Sequence, residues 1–165
     1  MALSKQYTAY AALDIGTSAS GYAFSLAGNS AIHINQAWES GNGSVCTAKT
    51  PTCVLLNPKG ELHAFGYEAE NKYTDLADEG QNEDWWCFRR FKMQLYDVVN
   101  VKRGLSVTDE TGKTKKALDV FALCIHYLKD HLIKQLQSRL GHITLDDVYW
   151  VITIPAIWNE PAKRL

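Results

Sequence analysis

The residues best suited to chemistry stand near the start of the chain. Ala11-Ala12-Leu13-Asp14-Ile15 is an apolar run that carries one carboxylate, Gly16-Thr17-Ser18-Ala19-Ser20 supplies one glycine and three hydroxyls, and a second apolar run begins at Gly21. The pattern predicts two strands joined by a small, donor-rich turn. A glycine lets backbone N–H groups close on an anion, because no Cβ stands in the way. Thr17, Ser18 and Ser20 add hydroxyl donors. Asp14 would repel a bare phosphate, so its place beside such a cradle makes sense when a divalent cation or its water shell lies between the two charges. The stretch points to a magnesium nucleotide rather than to free phosphate. Asp-x-Gly-Thr arises by chance in roughly 3% of chains of this size, and turns are rich in these residue types for conformational reasons alone. The assignment therefore needs a second feature.

Other candidates carry less. Gly112-Lys113-Thr114 matches the end of a P-loop, but the position five residues before Gly112 is Val107 and no strand leads into it. Trp85 to Leu95 interleaves large apolar side chains with Arg89, Arg90 and Lys92, a pattern able to stack on single-stranded nucleic acid. Without a wider basic surface, the aromatics are expected to pack inward and the cations to stay wet, with one turned toward a nucleotide. His126 and His131 read as surface or boundary residues, since no carboxylate or cysteine pairs with them at ligand spacing. Cys46, Cys53, Cys87 and Cys124 stand far apart, in no zinc or redox pattern, and are expected as buried, reduced thiols.

The elements that must position the turn follow from periodicity. Residues 7–15 form the first strand and 21–26 the second; Ile32, Ile34 and Ala37 alternate as a third, completing an antiparallel meander. Residues 40–51 read as a loop. Residues 53–56 and 62–66 form a hairpin around Asn57-Pro58-Lys59-Gly60-Glu61, and residues 67–78 a helix. Residues 100–114 make a hairpin-like excursion. Leu118, Phe121, Ile125, Leu128, Leu132, Leu136 and Leu140 then recur at spacings of three and four, with Gly141 as the stop. Val148 to Pro155 is nearly continuous in apolar residues, as for a strand covered on both faces. Asn159-Glu160-Pro161 opens a new helix.

Composition bounds what the chain can do. At 165 residues and 46% apolar content it can build a core. A net charge of -1 offers no basic face for nucleic acid or an anionic membrane. No apolar run is long enough for a membrane span, and the first residues lack a secretory segment, so a cytoplasmic location is expected.

Two separated stretches together resemble a known family. Ala12 to Ser20 is similar to the first phosphate motif of the actin, sugar-kinase and 70 kDa heat-shock ATPase superfamily, and Val151 to Glu160 is similar to the heat-shock strand, turn and helix of the first connecting segment. Pro-Ala-Ile-Trp at 155–158, Pro-Ala-Lys at 161–163 and Phe-Lys-Met at 91–93 most resemble the divergent heat shock 70 kDa protein 12 branch. The resemblance runs from about Thr8 to Arg164.

It implies an α/β fold of ribonuclease H-like (actin-like ATPase) type: a mixed sheet with an antiparallel meander, a long helix and a returning strand, forming the first lobe of an incomplete domain over residues 1–165. By the same resemblance Asp14 holds the water shell of Mg²⁺, Gly16, Thr17 and Ser18 wrap the β- and γ-phosphates of ATP or ADP, and Thr17 stands nearest the γ-phosphate. Arg89, Arg90 and Lys92 compete for the place of the family's catalytic lysine, and Lys92 is chosen. Pro155 matches a proline that relays nucleotide state, while the family's arginine eight positions later falls on Lys163, and the two groups are not interchangeable. The second phosphate loop, the adenosine pocket and the substrate-binding region are absent from the 165 residues. The implied function is that of an ATP-binding piece of a chaperone ATPase, with clients or co-chaperones met through a longer protein and with little activity of its own. Two rivals are a non-catalytic interaction module, in which the turn survives as a structural hairpin, and the first lobe of a sugar or acetate kinase. Val151 to Glu160 argues against the kinase.

Overall fold

The computed structural model describes residues 6–38, 45–95 and 104–153. Strands β1 (Ala9–Ile15) and β2 (Ala19–Leu26) form the hairpin, and β3 (His33–Ile34) adds to the outer side of β2. Alternation explains why β1 is a strand with one face inward: Ala9, Ala11, Leu13 and Ile15 are buried, and the residues between them are not. The third strand of the expected meander is shorter than the alternation suggests. The chain leaves β2 after Ile34, and β4 (Ala37–Trp38) pairs instead with β5 (Val45–Cys46).

The segment expected as loop contains a strand that matters to the site. Residues Thr50–Pro51, β6, pair antiparallel with the start of β2, placing Thr50 opposite Ser20 and Pro51 opposite Ala19. Strands β7 (Cys53–Leu56), β8 (Leu62–Phe65) and β9 (Trp86–Arg89) make a second sheet in the order β8-β7-β9. Helix α1 (Gly66–Asp78) packs on it through Ala69, Tyr73 and Leu76, and a 3₁₀ turn at Phe91–Leu95 follows β9. Phe88 and Phe91 are fully buried, which bears out the inward packing of the aromatics. Lys92 is buried too and Arg89 is half-buried, so of the three cations expected to stay wet only Arg90 is exposed.

The excursion after Gly104 is a hairpin of β10 (Ser106–Thr108) and β11 (Thr114–Lys116), and α2 (Ala117–Leu140) follows it directly. The buried stripe of α2 is Ala117, Val120, Cys124, Leu128, Leu132 and Leu136. Over its first turns this lies beside the predicted stripe. Leu118 is exposed and Phe121 and Ile125 are half-buried, because the smaller Ala117 and Cys124 let the helix approach the sheets closely. Leu140 is exposed at the far end, where Gly141 follows at φ 77°.

From α2 the chain enters β12 (Val148–Thr153), which runs parallel to β1 in a register that sets Asp14 against Thr153. A helix between a strand of one sheet and a parallel neighbour is the crossover such sheets require. The resulting order, β12-β1-β2-β3 with β6 also on β2, is a mixed sheet of α/β type. It has the layout of part of an actin-like lobe. Strand β12 is not covered on both faces as its apolar run predicts: Tyr149, Val151 and Ile152 are all exposed, and among the described residues no helix or second sheet covers them; in the sheet itself β1 is the neighbour it pairs with. Among the described residues no helix is long and apolar enough to cross a membrane.

Cys53 and Cys87 face each other on β7 and β9 with Sγ atoms 3.8 Å apart, so sequence distance hid a spatial pair. Cys53, Cys87 and Cys124 are free and buried, as expected of reduced thiols. His131 is half-buried, consistent with a boundary place; its Nδ1 meets the Tyr22 hydroxyl at 2.7 Å and its ring stacks on Trp38.

Candidate functional site

The turn between β1 and β2 owes its shape to one missing atom. A Cβ on Gly16 would strike the Ala19 carbonyl oxygen well inside van der Waals contact, so only glycine allows the chain to fold back this sharply. Thr17 is half-buried and Ser18 exposed in the turn, while Ser20 is fully buried at the head of β2.

A buttress then fixes the turn from behind. The Thr52 hydroxyl donates to the Gly16 carbonyl at 2.9 Å and meets the Ser20 hydroxyl at 2.7 Å, and the Thr52 amide donates to the Ser18 carbonyl at 3.0 Å. Two residues earlier, the Thr50 hydroxyl accepts from the Tyr67 amide at 3.1 Å and so ties the start of α1 to the same segment. Thr50-Pro51-Thr52 thus joins the turn to the second sheet and its helix. Thr52→Val keeps the shape but orphans the Gly16 carbonyl and the buried Ser20 hydroxyl. The expected cost is about 1–3 kcal/mol, read as a shifted denaturant midpoint with an unchanged slope.

Asp14 ends up between two partners. Its carboxylate accepts from the Thr153 hydroxyl at 2.5 Å on one side and forms an ion pair with the Lys49 ammonium on the other. Burial by itself would raise the Asp14 carboxyl, but the hydrogen bonds from Lys49 and Thr153, with the positive charges of Lys49 and Lys92, outweigh it and hold the group below the usual carboxylate range. The group stays ionised through the neutral range, as a ligand for cations or their water shells requires.

The three cations in the 85–95 stretch go to three different places. The Arg89 guanidinium lies 5.4 Å from the Tyr73 ring centroid, with its Nε 4.0 Å from Glu70 on α1. Arg90 sits at φ 47° on the rim of a polar cleft of about 690 Å³ that it shares with Ser18, Thr52, Asn71 and Glu110. Lys92 turns inward, and its ammonium donates to the Ile15 carbonyl at the very end of β1. Burial pushes the Lys92 ammonium below the ordinary lysine range, partly offset by the nearby Asp14 carboxylate. The 3₁₀ turn at Phe91–Leu95 brings this about, since Phe91 and Leu95 anchor it in the core and carry Lys92 down with them.

Asp14, Gly16, Thr17, Ser18 and Lys92 therefore converge at one end of β1. Pro155 and Lys163 lie outside the described residues. Sequence reasoning missed Lys49, Thr52 and Thr153. Lys49 and Thr52 reach the turn through the β6–β2 pairing, and Thr153 through the parallel β1–β12 register. Neither pairing leaves a local spacing signal. Among the described residues no group of three or more His, Cys, Asp or Glu side chains could hold a metal ion directly.

No protein-family model matches the chain. Among curated proteins, the chain is 40% identical over 160 residues to heat shock 70 kDa protein 12B of Homo sapiens, an alignment covering 96% of the chain and 23% of that relative. It is 40% identical over 155 residues to heat shock 70 kDa protein 12A of both Homo sapiens and Mus musculus, covering 93% of the chain and 23% of each relative. The chain thus spans about a quarter of the length of the curated relatives it matches. Over nearly all of its residues, this chain is similar to the 12A/12B branch of the heat shock 70 kDa proteins.

Proposed function

We propose that residues 1–165 are the first lobe of an actin-like ATPase nucleotide-binding domain, and that the turn at Gly16, Thr17 and Ser18 takes the β- and γ-phosphates of ATP or ADP. The observation that carries this reading is the meeting of a turn without a Cβ, an ionised carboxylate and an inward-turned ammonium at one strand end. The donor set suits a hydrated magnesium ion. A lone carboxylate cannot fill an octahedral shell, but Mg²⁺ sheds its waters reluctantly and is commonly held through them. Asp14 would hold that water shell, and when bound the ion would neutralise phosphate charge.

The protein's own groups supply the rest by position. Backbone N–H groups of Gly16, Thr17 and Ser18 bind the phosphates, with the Thr17 hydroxyl nearest the terminal one. Lys92, steadied by the Ile15 carbonyl, would set positive charge beside the negative charge carried by the phosphoryl oxygens during transfer, a reaction that depends mostly on positioning and electrostatics. Pro155 and Lys163 would relay nucleotide state toward the rest of a longer protein. Chaperone activity in the stress response, cytoplasmic location, and contacts with clients or co-chaperones belong to that longer protein.

One lobe supplies half of a nucleotide site, so the 165-residue chain should bind Mg-ATP weakly. Calorimetry is expected to give a dissociation constant of roughly 1 mM, about 4 kcal/mol of binding. Amide resonances of Gly16 to Ser18 should shift on titration with Mg-ATP, and Asp14→Asn should abolish the dependence on Mg²⁺. Micromolar affinity would overturn the half-site description. An unmoved turn at about ten times that concentration would overturn the nucleotide reading itself.

A further inference from the structure

Lys49 is the nearest charged neighbour of Asp14, and its place is built rather than incidental. Its backbone precedes β6, whose pairing with β2 fixes it over Gly21, the residue opposite Asp14 in the β1–β2 ladder. Gly21 leaves room for it: a Cβ there would come within 2.8 Å of the Ala48 carbonyl oxygen and 3.2 Å of the Lys49 Cγ. The stem of Lys49 thus lies across the missing side chain of one strand while its ammonium reaches the carboxylate of the other. The Thr47 hydroxyl donates to the Lys49 carbonyl at 2.5 Å and steadies the approach.

Among the described residues, the charges that meet at this end of β1 are two ammoniums, Lys49 and Lys92, against the carboxylate of Asp14. The nearby Cys124 thiol is buried and pushed well above its ordinary range, so it stays neutral and leaves the trio with a net positive charge. A trio of that sign beside a row of backbone donors suits an anion of high charge. The Lys49 and Asp14 side chains are 49% and 40% exposed, which leaves the pair weak enough to exchange.

We propose that Lys49 is a phosphate-binding residue whose ammonium exchanges the Asp14 carboxylate for the phosphate chain of a magnesium-bound polyphosphate. The hydrated cation and the Lys49 ammonium compete for one carboxylate. When the cation takes it, the ammonium moves along its flexible stem to the phosphate oxygens that arrive with the metal. No bond is made or broken. The inference rests on the nucleotide reading above and adds a ligand that the turn motif does not contain.

The test uses the 165-residue chain with inorganic tripolyphosphate, which removes the need for an adenosine pocket. With Mg²⁺ present, the Gly16 to Ser18 amides of the wild type should shift with a millimolar midpoint. Lys49→Met should weaken that midpoint at least fivefold and Lys49→Arg less than twofold. Mn²⁺ without phosphate should broaden resonances around Asp14 as much in Lys49→Met as in the wild type, or more, because the competing cation is gone. That readout separates lost phosphate binding from a damaged turn. Equal tripolyphosphate affinity in wild type and Lys49→Met, or weaker Mn²⁺ broadening in Lys49→Met, overturns the role of Lys49 alone. A wild-type turn that never responds to Mg-tripolyphosphate overturns the nucleotide reading, and this inference with it.

Discussion

Gly16→Ala is expected to lower stability by about 2–3 kcal/mol, equivalent to a fall in melting temperature of about 5–10 °C for a chain of this size, and to abolish the response of the turn to Mg-ATP. The new methyl meets the Ala19 carbonyl oxygen, which is backbone and cannot swing aside like the end of a flexible side chain. Relief requires the turn to open. Opening moves the Gly16 and Ser18 carbonyls away from the Thr52 hydroxyl and amide that hold them, so the buttress and the turn fail together. Thermal unfolding reports the first effect and amide shifts at Thr17 and Ser18 report the second. A variant with unchanged stability and an unchanged phosphate response would show that the turn tolerates a Cβ and that its tightness has no part in binding.

Legibility from sequence followed the range of the interactions. The β1–β2 hairpin, α1, the β7–β8 hairpin and the Ser106–Lys116 excursion were all visible, because alternation, turn residues and helical spacing are local signals. Asp14, Gly16, Thr17 and Ser18 stand out as candidates for the same reason: they are neighbours in the chain. Lys49 and Thr52 were missed inside a stretch whose Gly, Ser and Thr content reads as loop, and only pairing with β2 makes Thr50–Pro51 a strand. Thr153 was read as one more residue of an apolar strand, and the β1–β12 register gives it Asp14 as a partner. The exposure of β12 was misread because a continuous apolar run reports what a strand can bury, not which neighbours cover it. The slip along α2 has a similar origin. Leu118 is more apolar than Ala117, yet the smaller residue faces the sheets, since closeness of approach outranks hydrophobicity there.

Lys92→Met separates the structural from the functional demand on a buried ammonium. The substitution preserves the length of the side chain and removes the desolvated charge, which is a gain; it also strips the Ile15 carbonyl of its donor, a loss of about 1–3 kcal/mol. The two nearly cancel, so the chain should fold with a melting temperature within a few degrees of wild type. Its pH dependence should still differ. Burial depresses the Lys92 ammonium in the folded state below its unfolded value of 10.5, so between the two values the unfolded chain binds more protons and wild-type stability rises with pH. The substituted chain lacks this rise, and the difference between the two stability curves over alkaline pH isolates it. Hydrolysis is where the loss should fall. In a longer chain that carries the second lobe, removing one fixed positive group beside the transferred phosphate is expected to cost about 10²–10³ in turnover, with Mg-ATP affinity changed by less than tenfold. Retained turnover in a stable Lys92→Met protein would make Lys92 a prop for the end of β1 and leave the charge for phosphoryl transfer to be supplied by Lys49 or by Arg90 on the rim of the neighbouring cleft.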